Sequence, residues 1–390
     1  MIRALTAYTL EADYPADAVE EILEQLDLEH NLLKNSVGII TCYLDFIKGG
    51  VAEALCKRLP FDVIGCTVPM NAAPGSGEAS QLSLMVLTSD SVEFATGTSE
   101  PLATQSGEAF DTLFDDFYKD ISSGMSCRPE AFIVCQPLVI GFNWQAVSES
   151  LGRAGGNVPV FGTLALDLEI NVREPLVIHN GQIYPDRMAV IAVGGDVRPR
   201  FFSEAFTLEN AVAQDAVITE VDDVRILSIN NLPAAQYMER LGLVQDGQLY
   251  GGNMAIPITV DIGDGTPPRV GTFYNIAPDG AVVCGTAYPV GGILAIGLIA
   301  HEDVIETAGR IIDKMLAHEE KNLFLFFSCF SRSIVLRSPT AEMDLVQKKL
   351  EAAGVPYLFA YSGGETCPLY DRGGNVVNTS HVYSVVGGIL

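Results

Sequence analysis

The chain lacks the cysteine and histidine spacings of a metal site. None of its eight cysteines forms a Cys-x-x-Cys pair, and its five histidines contain neither His-x-x-His nor His-Glu-x-x-His. Such spacings are typical of structural and catalytic zinc sites. The sequence therefore predicts no metal and no cofactor, and the unpaired cysteines fit reduced thiols inside a cell.

Basic residues are scarce, with 23 Lys and Arg against 49 Asp and Glu and a net charge of −26. Nucleic acids and anionic membranes are polyanions, so this balance argues against both as partners. The longest apolar candidate, residues 290–300, is glycine-rich and too short to span a bilayer. The first residues carry one basic side chain and no long apolar run, which predicts no secretion signal. We expect a cytoplasmic protein without membrane insertion.

Several catalytic loops are also missing from the sequence. It contains no Gly-x-Ser-x-Gly elbow, no Walker loop and no Rossmann Gly-x-Gly-x-x-Gly. What the chain has is a globular composition, with 48% apolar and 18% charged residues. Its 390 residues favour two domains. Periodicity weakens between residues 198 and 221, and we place the boundary so that the domains span residues 1–205 and 206–390.

One pattern occurs three times along the chain. An apolar run ends in a cysteine, a helix-length segment follows, and a second apolar run ends in small residues. The first runs are residues 37–42, 131–135 and 323–329, and the second runs are residues 61–67, 158–163 and 355–362. This is typical of a parallel strand-helix-strand unit. It predicts an α/β (mixed α+β) fold, with two related halves of mixed sheets flanked by helices.

Local patterns predict further helices and hairpins. Residues 16–28 and the stretch containing Phe110, Phe114 and Phe117 have the apolar spacing of amphipathic helices. Strand-like runs at residues 81–88 and 91–97 favour a hairpin, and Asn180-Gly181 between apolar runs favours another.

The third repeat has the richest polar groups at its strand ends. Arg332 follows one strand, Tyr361, Gly364 and Glu365 follow the next, and Asn378 enters the last strand. Ligand sites of open α/β sheets lie at this edge. A guanidinium could grip a ligand carboxylate and Glu365 could accept from an amine, while Gly364 lets the backbone approach a ligand closely. Equally, Arg332 and Glu365 could pair with each other or with solvent.

Other strand ends offer weaker candidates. In the first half, Gly162 and Thr163 could line a cleft, whereas Asp167 is more typical of a turn cap. Cys329 and His381 could form a Cys-His pair, with Arg332 favouring the thiolate. However, Cys329 ends a very apolar strand, where burial disfavours a thiolate.

These motifs resemble the FIST family, an intracellular sensory module of prokaryotic signalling proteins with FIST N and FIST C parts. The resemblance runs from about Asn31 to the C-terminus. It rests on the order and spacing of several motifs along the chain. These are residues 64–67, 162–167, the Asn180-Gly181 hairpin, Ser328 to Arg332, Gly364-Glu365 and Asn378.

The resemblance implies signal transduction by binding a small polar molecule such as an amino acid or a related metabolite. In the family this module is often fused to an output domain. We recognise no such domain in this sequence, so we expect the signal to pass to a separate protein. Two alternatives stay open: an enzyme that uses Cys329 as nucleophile, and a purely interacting protein without a ligand.

Overall fold

The structure is a computed structural model that describes residues 1–102, 107–167, 174–205, 211–249, 256–297, 299–336 and 338–390. Three units with the same order of elements and one inserted sheet make up this part of the chain. Within it, no helix is both long enough and apolar enough to cross a membrane.

Each unit begins with an outer strand and a helical segment, followed by two parallel strands that are joined by a second helical segment. The next strand pairs with a sheet of a neighbouring unit. The last strand lies antiparallel beside the first parallel strand of its own unit. The first unit contains β1 (Arg3–Thr9), α1 (Pro15–Leu26), α2 (Leu28–Asn31), β2 (Asn35–Cys42), α3 (Leu44–Lys48), α4 (Val51–Arg58), β3 (Asp62–Thr67), β4 (Asn71–Ala72) and β5 (Leu82–Ser89).

The second unit repeats this order with longer helices. It contains β6 (Val92–Thr98), α5 (Gly107–Ser123), β7 (Pro129–Pro137), α6 (Trp144–Ala154), β8 (Val160–Ala165), β9 (Val177–His179), β10 (Gln182–Tyr184) and β11 (Ala189–Gly195). The pair β9–β10 is the hairpin that Asn180-Gly181 predicts, and both turn residues have a positive φ.

The third unit starts with β12 (Arg200–Glu204) and is interrupted by an inserted sheet. The insert contains β13 (Ala213–Asp222), β14 (Arg225–Ile229), β15 (Leu232–Pro233), α7 (Ala234–Arg240), β16 (Val244–Gln245), β17 (Gln248–Leu249), β18 (Ile256–Asp261), β19 (Arg269–Ile276), β20 (Val282–Cys284) and β21 (Ile293–Ile296). The unit resumes with α8 (His301–Leu316), β22 (Phe324–Cys329), α9 (Phe330–Leu336), α10 (Ala341–Ala353), β23 (Tyr357–Ser362), β24 (Glu365–Tyr370), β25 (Val376–His381) and β26 (Val385–Ile389).

The three predicted strand-helix-strand repeats are confirmed. The pairs β2–β3, β7–β8 and β22–β23 are parallel, and a return strand lies antiparallel beside each first strand. The fold class is therefore the predicted mixed α/β class, with mixed sheets flanked by helices. The predicted boundary borders residues 206–210, which lie outside the described part, and the division into domains stays a prediction.

The units exchange strands in a cycle. β4 of the first unit pairs with β23 of the third, β9 of the second with β3 of the first, and β24 of the third with β8 of the second. Each sheet is thus completed by a neighbouring unit. This cyclic exchange relates the three sheets by an approximate threefold axis.

One predicted hairpin is wrong. Residues 82–89 and 92–98 are strands, as expected, but β5 pairs with β1 and β2, whereas β6 pairs with β11 of the second unit. The short turn carries the chain from one sheet to the next. Local sequence cannot reveal this, because a turn between two sheets needs the same residue types as a turn within one.

The inner faces of the three sheets enclose one core on the axis. Alternate residues of the central strands point into it, including Ile39, Ile133 and Leu325. The helices cover the outer faces and bury their apolar stripes there, such as Val19, Ile22 and Leu26 of α1. The carboxyl ends of the parallel pairs therefore lie around one end of a shared core.

Candidate functional site

The carboxyl edge of the third unit holds the predicted charged residues in buried positions. β22 and β23 end side by side, with Cys329 paired to Ser362. Since α9 begins directly after β22, Arg332 lies in its first turn. Arg332 and Glu365 are both fully buried.

The guanidinium of Arg332 is held inside the chain. It donates to the Glu342 carboxylate from Nε at 3.0 Å and from Nη2 at 2.6 Å, and Nη2 also donates to Thr307 at 2.9 Å. Backbone carbonyls of Val304 and Tyr383 accept further bonds. Arg332 therefore forms a buried ion pair, but with Glu342 and not with Glu365.

The carboxyl of Glu365 is bound by two serines. The hydroxyls of Ser362 and Ser384 donate to it at 2.6 and 2.8 Å, and no ion pair of the described residues includes it. Burial raises the pKa of Glu365 to about 8, although these hydrogen bonds and the charge of Arg332 act in the opposite direction. Glu365 is thus a proton-bearing group at neutral pH, poised to ionise if a cation reaches it.

The two charged groups follow opposite faces of the β22–β23 pair. Ser328 donates to Glu342 and so marks the helix-covered face. Ser362, the next residue after Tyr361 on β23, binds Glu365 and marks the core face. The sequence predicts that both residues leave the same sheet edge, which is correct, but their side chains then diverge.

Tyr361 lies on the helix side of this edge. Its side chain is fully buried, and no hydrogen bond of ordinary length and angle joins its hydroxyl to the described residues. Burial and the nearby Glu342 carboxylate raise the pKa of Tyr361. The hydroxyl therefore stays protonated.

The structure brings Gly162 and Thr163 of the second unit to Glu365. In the β8–β24 register Thr163 pairs with Glu365 and Gly162 with Thr366. Gly364 accepts a backbone bond from Leu164 at 2.9 Å. A Cβ on Gly162 would lie 2.0 Å from the Val134 carbonyl oxygen, so a glycine is required by the neighbouring strand rather than by a ligand.

Asn378 has a structural position at the other end of β8. Its amide accepts from the Val160 backbone at 2.8 Å and donates to the Val158 carbonyl at 3.0 Å. Gln145 of α6 donates to the Asn378 carbonyl at 2.8 Å. These bonds fasten β25 to the second unit, so both the oxygen and the nitrogen of the Asn378 amide are bonded within the chain.

Cys329 and His381 do not form the arrangement of a nucleophile and its base. Burial and the charge of Glu365 raise the pKa of Cys329 to about 12. Burial lowers the pKa of His381 to about 4, and its Nε2 lies 3.0 Å from the Cys367 carbonyl oxygen. Both groups are therefore neutral near pH 7, as a buried thiol and a buried imidazole are expected to be.

The inserted sheet covers this edge. Val270 of β19 packs in one apolar cluster with Cys329, Val382 and Tyr383. Tyr274, also on β19, is fully buried, and the pKa of its hydroxyl is raised by burial first and also by Cys329 and Glu365. The predicted site therefore lies at an interface between the insert and the third unit.

A cleft of about 410 Å³ opens along the same interface. Thr259, Pro267 and Val270 of the insert line one side, and Lys314 and His381 lie on the other. His381 pairs with Glu365 in the β24–β25 register. The cleft is thus one strand away from the buried carboxyl.

Three residues of this cluster escape sequence reasoning. Glu342 sits in the first turn of α10, where acidic residues are common, and nothing marks it as the partner of Arg332. Ser384 and Tyr274 lie in stretches without a motif. In the described part, no three His, Cys, Asp or Glu residues converge as metal ligands.

The fold and the site define a class of protein first: three strand-exchanging α/β units with an inserted sheet that closes over a buried carboxyl group. The FIST N domain family matches residues 36–232, and the FIST C domain family matches residues 233–368. The chain belongs to the FIST family, and the resemblance of its motifs is confirmed. FIST domains are sensory domains of signal transduction.

Solved structures show only remote likeness. Cyanuric acid hydrolase from A. caulinodans is 10% identical at a TM-score of 0.38, with 100% of this chain and 99% of that chain covered. T. maritima PurL complexed with FGAR is 11% identical at a TM-score of 0.20, with 99% and 72% covered. Such scores carry no argument about function. No curated protein sequence matches the chain.

Proposed function

We propose that this FIST protein is a sensor that binds a small polar metabolite at the carboxyl edge of the third unit and signals to a separate protein. The observation that carries the proposal is the Glu365 carboxyl. It is fully buried, bound by two serines and without an ion-pair partner among the described residues. A ligand amine, as in an amino acid, would supply a cation beside which the carboxyl ionises.

Thr163, Gly162 and Gly364 contribute backbone and hydroxyl groups beside Glu365 in the proposed site, and Cys329 lies on the same face. Arg332, Tyr361 and Asn378 have supporting roles. The Arg332–Glu342 pair holds α9 and α10 against β22, and Asn378 fastens β25. A ligand carboxylate would reach Arg332 only by displacing Glu342.

Signalling follows from the closed position of the insert. Ligand entry through the cleft separates β19 from the third unit, so the insert has a closed and an open arrangement. A ligand that binds one of these arrangements more tightly shifts their populations. The partner protein then recognises the arrangement that the ligand favours.

Substitution of Glu365 tests the ligand site. Thermal-shift screening and calorimetry with amino acids and simple amines are expected to find a ligand that wild type binds. Glu365→Gln is expected to lower the affinity for that ligand by about tenfold or more, because the substitution removes a charge-assisted hydrogen bond. Glu21→Gln is the control for the substitution itself, since Glu21 also accepts a hydroxyl hydrogen bond, from Thr9, but is an exposed residue of the first unit. Unchanged affinity in Glu365→Gln would refute the site.

Thiol labelling tests the enzyme alternative. We expect a disulfide reagent at neutral pH to modify the half-buried Cys56 and Cys127 before Cys329, because the pKa of Cys329 is about 12 and its side chain is buried. Cys329→Ser should therefore leave the fast phase of labelling unchanged. A fast phase that disappears in Cys329→Ser would favour the enzyme over the sensor.

A further inference from the structure

The side chains of the central core change from large and apolar to small and polar at the carboxyl ends of the parallel strands. In the first unit, Thr41 pairs with both Cys66 and Ser83, one step beyond Ile39 and its partners on the core face. Because side chains alternate along a strand, Thr41, Cys66 and Ser83 also face the axis. A layer of small polar side chains thus follows a layer of large apolar ones.

The other two units have small residues in the same layer. Cys135 of the second unit pairs with Thr163 and with Ala189. Cys329 of the third unit pairs with Ser362, and its backbone donates to Ser384. Three positions per unit give nine, and eight of the nine carry a hydroxyl or a thiol. We call these nine positions the axial ring.

Contacts between units close the axial ring. The thiols of Cys66 and Cys135 interact across the first and second units. Thr163 is paired with Glu365 of the third unit. Ser83 donates to Asn71 at 2.5 Å, and Asn71 is paired with Ala360 of the third unit. Ring residues or their direct partners therefore connect the three units at this end of the core.

Three buried polar groups in or beside this layer are left without partners in the described part of the chain. The hydroxyl oxygens of Thr41 and Thr163 are fully buried and have no hydrogen-bond partner among the described residues. The same holds for the Oε1 atom of Gln81, whose amide nitrogen donates to Ser83. Buried polar atoms are normally paired, so two hydroxyls and one amide oxygen without partners at one end of one core point to a missing hydrogen-bonding group.

We propose that the axial ring binds a compact polar molecule that carries both N–H donors and hydrogen-bond acceptors, neutral or singly positive, such as a small amide or amino alcohol. The ligand would bond to the hydroxyls of Thr41 and Thr163 in the ring and to Gln81, which contacts the ring through Ser83, with Glu365 beside Thr163. No cationic side chain belongs to the ring, so burial of a small anion there would be unfavourable. This inference rests on the proposed function and adds the first unit to its site.

The test uses ethanolamine, acetamide and urea as probes, with acetate as the anionic control. Thermal shift and calorimetry on wild type at millimolar concentrations should detect at least one of the three probes and not acetate. Thr41→Val and Thr163→Val should each lower the affinity for the tightest-binding probe by about three- to tenfold, because each substitution removes one neutral hydrogen bond. Thr41→Ser keeps the hydroxyl and should keep the affinity.

Thr286→Val is the matched control, since Thr286 is also buried with an unpartnered hydroxyl but lies in the inserted region, outside the ring. Absence of binding by all three probes would overturn the ring, as would equal effects of Thr286→Val and Thr41→Val. A ligand whose affinity depends on Glu365 but not on Thr41 would support the proposed sensor and refute the axial ring as a binding site. If no amine or amino acid binds at all, both proposals fall.

Discussion

Arg332→Ala is expected to lower the free energy of unfolding by about 3–5 kcal/mol, which is typical when one partner of a buried ion pair is removed. The remaining Glu342 carboxylate would be fully buried and would lose both of its bonds from the guanidinium. Urea denaturation monitored by circular dichroism measures the change. Loss of this magnitude would establish that Arg332 serves the fold before any ligand is bound.

The controls separate burial from charge. Arg153→Ala breaks an ion pair with Asp111 that is about half exposed, and should cost no more than about 1 kcal/mol. The double variant Arg332→Met with Glu342→Leu should be more stable than either single variant, because no buried charge is left alone. A single-variant cost as small as that of Arg153→Ala would show that Arg332 is free to serve a ligand.

The stability of the ligand-free protein is expected to fall between pH 5 and pH 8 because of Glu365. Its pKa is about 8 in the folded chain, against an ordinary value of 4.5 in the unfolded chain. Between these values the unfolded state has released the proton that the folded state keeps, so rising pH favours unfolding. The stabilisation is complete below pH 4.5 and is lost as pH rises to 8. We expect a loss on the order of a few kcal/mol.

Glu365→Gln should remove most of this dependence, since the amide is neutral at every pH and similar in shape. Unfolding free energies of wild type and variant, measured by urea titration at several pH values, should diverge in favour of the variant as pH rises. Parallel curves for wild type and Glu365→Gln would mean that the carboxyl is already ionised in the folded protein.

The repeats could be predicted because each strand-helix-strand unit is local. Apolar runs of strand length with an amphipathic helix between them need no distant contact to be recognised, and all three became parallel pairs. The exchange of β4, β9 and β24 between units could not be predicted. Each of these strands pairs with a partner far away in the chain, and its own sequence is compatible with either sheet.

The sequence places the candidate residues at strand ends, and their role in ligand binding stays a prediction. The residues around Glu365 do converge, since Thr163 comes from a different unit and lies beside it. The pairing of Arg332 with Glu342 was missed, because the partner lies on a helix whose acidic first turn has an ordinary explanation. The division into domains and the identity of the ligand stay predictions.

The amino-acid sequence alone determined the fold class, the three repeats and the family, because short-range periodicity and ordered motifs encode them. Only the tertiary structure decided which charges meet, which sheet each crossing strand completes, and where the small polar residues of three distant segments come together. Strand pairing and the burial of charged groups depend on residues that are close in space but distant in the sequence. Local sequence patterns carry no information about such contacts.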